Sequence, residues 1–156
     1  MARIDGEIVI GRPVEVVFDY VADQRNEPQY NPRMVRAEKV TEGPVGKGTR
    51  FSSAIMSRGH PADMVIELTG YERPVRLAQE TTMAQAGMSG TLTFEPLGTG
   101  TRMRWSWQVR PKGAVKLLAP VIALMGRHQE RTVWTAMKQH LEASQAATTG
   151  AGRATE

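Results

Sequence analysis

Two hydrophobic periodicities divide the chain into a β-rich middle and helical flanks. Apolar residues recur at every second position in short segments from about residue 34 to residue 110. They recur at every third or fourth position in the ranges 14–22 and 114–143. A period of two is typical of strands with one buried face, and a period near 3.6 is typical of helices with an apolar stripe. The pattern therefore predicts a run of strands between helical segments.

The first thirty residues predict a strand followed by a helix. Arg3–Ile10 alternates and ends at a Gly-Arg-Pro sequence. Pro13 suits the first turn of a helix, where its missing N–H would have no partner in any case. Val14–Ala22 then carries an apolar stripe. Residues 23–33 contain Pro28 and Pro32, which allow one short second helix and then a break.

Six further strands are predicted, each ending at a turn signal that contains glycine or proline. They are Met34–Thr41, Thr49–Ser57, Ala62–Tyr71, Val75–Met83, Met88–Glu95 and Thr101–Arg110. Short connections of this kind favour an antiparallel meander. Polar residues alternate with the apolar ones, so we expect one face of the sheet to be buried and the other to face water.

A long carboxy-terminal helix is predicted to cover the buried face. Ala114–Ala143 keeps a helical period, and Pro120 either kinks its first turns or marks its start. Residues 145–156 are small, polar and glycine-containing, which predicts a disordered tail after a single domain over residues 3–144. The order of elements gives an α+β fold class.

Three segments carry a resemblance to a known superfamily: Arg12–Asp23 (RPVEVVFDYVAD), Asn31-Pro32 with Gly43–Phe51 (GPVGKGTRF), and the closing Leu141-Glu142. The chain resembles the SRPBCC, or START-like (Bet v 1-like), superfamily of polyketide cyclase/dehydrase and lipid-transport proteins over residues 3–143. The resemblance implies a helix-grip fold. In that fold a seven-stranded curved antiparallel sheet wraps around the long carboxy-terminal helix, with two short helices after the first strand. Its members include cyclases, dehydratases, hydrolases, sensors and carriers, so the resemblance leaves the activity open.

Composition excludes several kinds of site. The chain has no cysteine, which excludes disulfides, thiolate metal sites and cysteine nucleophiles. His60, His128 and His140 share neither a helix face nor a turn, so we predict no metal and no cofactor. The sequence Gly46-Lys47-Gly48-Thr49 lacks the spacing of a phosphate-binding loop and precedes a strand, which predicts a hairpin connection.

Charge and hydropathy favour a cytoplasmic protein. The net charge is +4, but the 20 lysines and arginines are scattered without a run of five, which favours a solvated surface over a nucleic-acid site. No segment reaches the roughly 18 apolar residues of a membrane span. Arg3, Asp5 and Glu7 interrupt any apolar amino-terminal signal. A homodimer is left open.

A set of inward-facing positions predicts a ligand site between the sheet and the last helix. Gln79 and Thr81 are polar residues on the apolar parity of their strand, where they orient a ligand or bond locally. Methionines and two tryptophans on the inward faces suit an adaptable apolar surface, although ordinary core filling explains them too. Gly126 is expected opposite the tryptophans. The predicted ligand contacts are Phe18, Tyr30, Phe51, Met64, Ile66, Gln79, Thr81, Met83, Met103, Trp105, Trp107, Ile122, Gly126, Gln129 and Val133.

Glu130 is the one candidate acid or base. It lies about 60° from the centre of the buried stripe in a helical projection. Facing a cavity, its carboxyl would have a raised pKa and could transfer a proton. Arg127 and Arg131 offer surface partners, which favours a position at the wet margin of the helix.

These features support binding or transport of a small hydrophobic ligand, such as a lipid, a polyketide or an aromatic metabolite. The alternative is an enzyme of the cyclase or dehydratase type that uses the same cavity and one acid–base residue. A module that binds a partner through the exposed sheet is a third interpretation. An ionisable cavity residue with a partner would favour the enzyme, and a purely apolar cavity would favour carrying.

Overall fold

The computed structural model describes residues 2–153, with side chains from residue 2 to residue 145. Two 3₁₀ helices, Gln24–Gln29 and Gly113–Leu118, accompany the elements β1 Ala2–Ile10, α1 Val14–Ala22, β2 Met34–Lys39, β3 Arg50–Ser57, β4 His60–Glu72, β5 Arg76–Met83, β6 Ala86–Leu97, β7 Gly100–Pro111 and α2 Ala119–Arg153. The strands and α1 lie within about two residues of their predicted bounds, whereas the last helix was predicted over Ala114–Ala143 and spans Ala119–Arg153. Within the described residues, no helix combines the length and the apolar character that a membrane span requires.

The seven strands form one antiparallel sheet in the order β1-β7-β6-β5-β4-β3-β2. The predicted meander is confirmed for β2 to β7, and β1 extends the sheet by pairing with β7. Irregular register in β2 and in β4 bends the sheet, as bulges do. This architecture confirms the predicted α+β helix-grip fold.

Two tryptophans of β7 lie over glycines of the neighbouring strands. Gly6 pairs with Trp105, and a Cβ at Gly6 would lie 2.4 Å from the Cζ2 of that indole. Gly90 pairs with Trp107, and a Cβ there would lie 2.6 Å from Cε3 of that indole and 2.0 Å from the carbonyl oxygen of Ser106. Only a residue without Cβ leaves the indoles this room.

The predicted alternation of buried and exposed positions is clear in β1, β4, β5 and β7 and is weak in β2 and in the first half of β6. Met64, Ile66 and Leu68 are buried on the inner face of β4, and Val65 between them is exposed. Val75 is an exception, because it lies in the turn before β5 and is 57% exposed. Val75 shares the parity of Gln79 and Thr81 in the predicted strand Val75–Met83, which predicts an inward position, but the period of two does not extend into the turn.

Helix α2 begins one residue before Pro120, after the second 3₁₀ helix, so the proline marks the start of the helix and no kink is needed to explain it. The helix continues to Arg153, past residue 145, where the predicted tail starts. The rest of that prediction lies outside the described residues.

The carboxy-terminal half of α2 is attached to the β1–α1 connection. The backbone N–H of Gly11 donates to Oε1 of Glu142 at 2.8 Å, and Nη1 of Arg12 donates to the carbonyl oxygen of Leu141 at 2.6 Å. Among the strands α2 packs mainly on β1. The inner faces of the middle strands therefore receive little cover from the helix, which leaves a space beneath it.

Candidate functional site

A cavity of about 350 Å³ lies between the sheet and α2. The buried apolar residues form two clusters, a larger one with Trp107 and Trp134 and a smaller one with Met64 and Ile66. Residues of both clusters line the cavity, so the cavity lies between them. Met125 lines the cavity and is 66% exposed, so the cavity reaches the surface of the protein beside the first turns of α2.

Most of the predicted ligand contacts lie around this one cavity. They are Met64, Ile66, Gln79, Thr81, Met83, Trp107, Ile122, Gly126, Gln129 and Val133. They come from β4, β5, β7 and α2, so the inward parity of each strand and the helix stripe converge on a common space.

Five predicted contacts lie in the packed core and not at the cavity: Phe18, Tyr30, Phe51, Met103 and Trp105. Phe18, for example, packs edge-on against Tyr71 and Phe94 with ring centroids 5.2 Å apart. Core and cavity positions share the same parity within a strand. Sequence spacing therefore cannot separate them, and only the path of α2 over the sheet does.

Gly126 lines the cavity, but it does not face the tryptophans as expected. A Cβ at Gly126 would lie 2.4 Å from Cδ1 of Ile4 on β1. The glycine lets α2 approach β1 closely, and the cavity begins beside this contact.

Glu130 points into the cavity and not toward the arginines of the helix surface. Its Oε2 accepts hydrogen bonds from Nε1 of Trp107 at 2.9 Å and from Nε1 of Trp134 at 2.8 Å. Burial raises the pKa of Glu130, and the two indole N–H groups oppose that rise. The projection favoured the wet margin because it ignored the long side chain, which reaches the indole donors under the helix.

Glu27 is a second cavity carboxyl, which the sequence did not reveal. Its Oε1 accepts from Nδ2 of Asn31 at 2.8 Å. Burial and, to a smaller extent, the charge of Glu130 raise the pKa of Glu27 to about 7 against the opposing hydrogen bond from Asn31. It lies in a polar segment with two prolines, where no periodicity marks an inward side.

Further polar side chains complete the lining of the cavity. Nε2 of Gln24 donates to Oε1 of Gln79 at 3.3 Å, and both side chains are buried. The buried hydroxyl of Thr81 has no hydrogen-bond partner among the described residues. A cavity with apolar walls and a few convergent polar groups can bind a small molecule and fix its orientation.

The Thr81 hydroxyl gives a first prediction. Thr81→Val keeps the shape of the side chain and removes the unpartnered polar group, so we expect the free protein to gain about 1 kcal/mol of stability. Urea unfolding measures this change. A loss of stability would show that the hydroxyl has a hydrogen-bond partner in the free protein. Thr82→Val, on the outer face of β5, is the matched control.

Comparison with known proteins finds one matching family and a set of solved structures with the same fold. Residues 1–142 match the model of a family described as polyketide cyclase/dehydrase and lipid transport. No curated protein matches the sequence of the chain.

Solved structures share the fold at low sequence identity. A START superfamily protein from Mycobacterium smegmatis has a TM-score of 0.80 at 13% identity, over 92% of this chain and 99% of that one. The protein TTHA0849 from Thermus thermophilus has a TM-score of 0.75 at 18% identity, over 91% of this chain and 98% of that one. The di-domain ARO/CYC protein BexL of the BE-7585A biosynthetic pathway has a TM-score of 0.73 at 22% identity, over 91% of this chain and 47% of BexL.

Proposed function

The chain belongs to the polyketide cyclase/dehydrase and lipid-transport family, and we propose that it binds a small hydrophobic molecule in the cavity beneath α2. The observation that supports this most is the cavity itself. Its volume of about 350 Å³ lies within the range of small-molecule sites, and most of its wall is apolar. Burial of apolar ligand surface would supply the affinity.

The chemical class that suits these walls is a lipid, a polyketide or an aromatic metabolite. Flexible methionines such as Met64, Met83 and Met88 allow the wall to adapt to the shape of the ligand. The polar groups at Gln79, Thr81 and Glu130 would orient it.

The cavity carboxyls favour a second candidate, an enzyme of the cyclase or dehydratase type. Glu27, with its pKa near 7, can both donate and accept a proton at neutral pH, as a general acid or base must. The test is the rate at which the protein converts a bound polyketide chain. A lower rate in Glu27→Gln, with unchanged affinity for the chain, would support this candidate.

Filling the cavity from the helix tests the binding proposal. We expect Gly126→Leu to weaken binding of the uncharged fluorescent probe N-phenyl-1-naphthylamine about tenfold or more, because the leucine side chain occupies ligand space. Gly126→Ala is the matched control, since its Cβ meets Ile4 in the same way but fills little of the cavity. Fluorescence titration of both folded variants measures the difference. Equal affinity in the two variants would contradict the placement of the ligand.

A further inference from the structure

The charge of the cavity wall is opposite to the charge of the protein. The chain has 20 basic and 16 acidic residues and a net charge of +4. The cavity is nevertheless lined by two carboxyl groups, Glu27 and Glu130, and by no lysine, arginine or histidine among its described lining residues. The acids come from different elements, the first 3₁₀ helix and α2, so the fold brings them to one space.

Each carboxyl is fixed by the protein through one of its oxygens. The indole N–H groups of Trp107 and Trp134 both bind Oε2 of Glu130, and the amide of Asn31 binds Oε1 of Glu27. The other oxygen of each group receives no hydrogen bond from the described residues and remains available to a donor in the cavity. The two acids are thus held in place, and no cationic side chain among the described residues pairs with either of them.

A buried carboxylate without a cation is costly, and the cost falls when a cationic donor is placed beside it. An ammonium group has three N–H donors and a positive charge, so it can serve both carboxyls at once, whereas a hydroxyl has a single donor. An anionic ligand, such as a fatty-acid carboxylate, would add a further negative charge to the same apolar space and should be rejected.

We propose that the ligand of this cavity is an apolar molecule that carries a protonated amine, held between Glu27 and Glu130. This inference rests on the proposed ligand-binding function and adds the ligand's charge and polar group to it. The apolar part of the ligand would lie along the methionine-rich wall, and the ammonium would lie beside Glu27 and Glu130.

Three matched ligands test the proposal on the full chain at about pH 8, where an aliphatic amine is protonated. Octylamine, octanol and octanoate share their alkyl chain and differ in their polar group. Each is titrated against bound N-phenyl-1-naphthylamine. We expect octylamine to displace the probe at a concentration about tenfold lower than octanol, as a charge-assisted hydrogen bond predicts, and octanoate to be the weakest.

Substitution of the acids assigns the preference to the cavity. In Glu27→Gln/Glu130→Gln we expect the affinities of octylamine and octanol to become equal within about twofold. Each single substitution should reduce the difference in affinity between octylamine and octanol. The single variants therefore keep the test valid if the double variant does not fold. Glu42→Gln is the control, because it removes the same charge from the exposed connection between β2 and β3 and should leave the order intact.

The outcomes separate the two proposals. Octanol or octanoate displacing the probe as well as octylamine would overturn the amine proposal and leave the hydrophobic cavity standing. Unchanged octylamine preference in the double variant would also overturn it. If N-phenyl-1-naphthylamine itself does not bind, that result contradicts the proposed binding function, on which the amine proposal rests.

Discussion

Glu27→Gln should stabilise the protein by up to about 3 kcal/mol at pH 8 and leave its stability nearly unchanged at pH 4. The pKa of Glu27 is about 7 in the folded protein, because burial disfavours its charged form, against an ordinary value of 4.5. Glutamine keeps the acceptor for Asn31 and removes the charge, so the penalty of ionising this side chain disappears.

The sign of the pH dependence follows from proton binding. Below about pH 4.5 the glutamic acid is protonated in both the folded and the unfolded state, so glutamine gains nothing. Between about 4.5 and 7 the folded state holds its proton while the unfolded state releases it, so the stability of the native protein falls as pH rises. Above about 7 the loss is complete, and the advantage of the variant reaches its maximum.

Urea unfolding of the native protein and of Glu27→Gln across this pH range measures the effect. Glu42→Gln is again the matched control, because it makes the same substitution in the exposed connection between β2 and β3. A constant difference between Glu27→Gln and the native protein from about pH 4 to 8 would show that the Glu27 carboxyl titrates like a surface acid.

The strands and helices could be predicted because each depends on a local period. The alternation around Met64, Ile66 and Leu68 needs only one buried face, and α2 needs only an apolar stripe and the proline at its start. The resemblance at Arg12–Asp23 and at Leu141-Glu142 also marks a real contact, because Arg12 bonds to the carbonyl oxygen of Leu141. Local pattern and family motif therefore lead to the same fold.

The site itself depends on a feature that no local period contains, the line that α2 follows across the sheet. Trp105 and Trp107 share one parity in β7, yet Trp105 packs into the core and Trp107 lines the cavity. Glu130 lies near the boundary of its helix stripe, and two indole donors from β7 and α2 determine where its carboxylate points. Glu27 is hidden for the same reason, because its surroundings come from elements distant in sequence.

The two tryptophans should therefore respond differently to truncation. Trp105→Ala should cost about 3–5 kcal/mol of stability, as large-to-small changes in a packed core do. Its ring lies over Gly6 and 6.0 Å from the ring of Trp134, and it is almost fully buried. Affinity for N-phenyl-1-naphthylamine in the folded fraction should change little.

Trp107→Ala should cost less stability than Trp105→Ala, because one side of the indole already faces unfilled space. Trp107→Ala should weaken probe binding more than Trp105→Ala does. The substitution enlarges the cavity and removes one of the two N–H groups that position the carboxylate of Glu130. Trp107→Phe retains most of the ring and removes the donor, so it separates the hydrogen bond from the packing. Urea unfolding and probe titration of the three variants measure both effects. An equal loss of stability in the two alanine variants, with probe affinity unchanged in Trp107→Ala, would place Trp107 in the core and move the ligand away from Glu130.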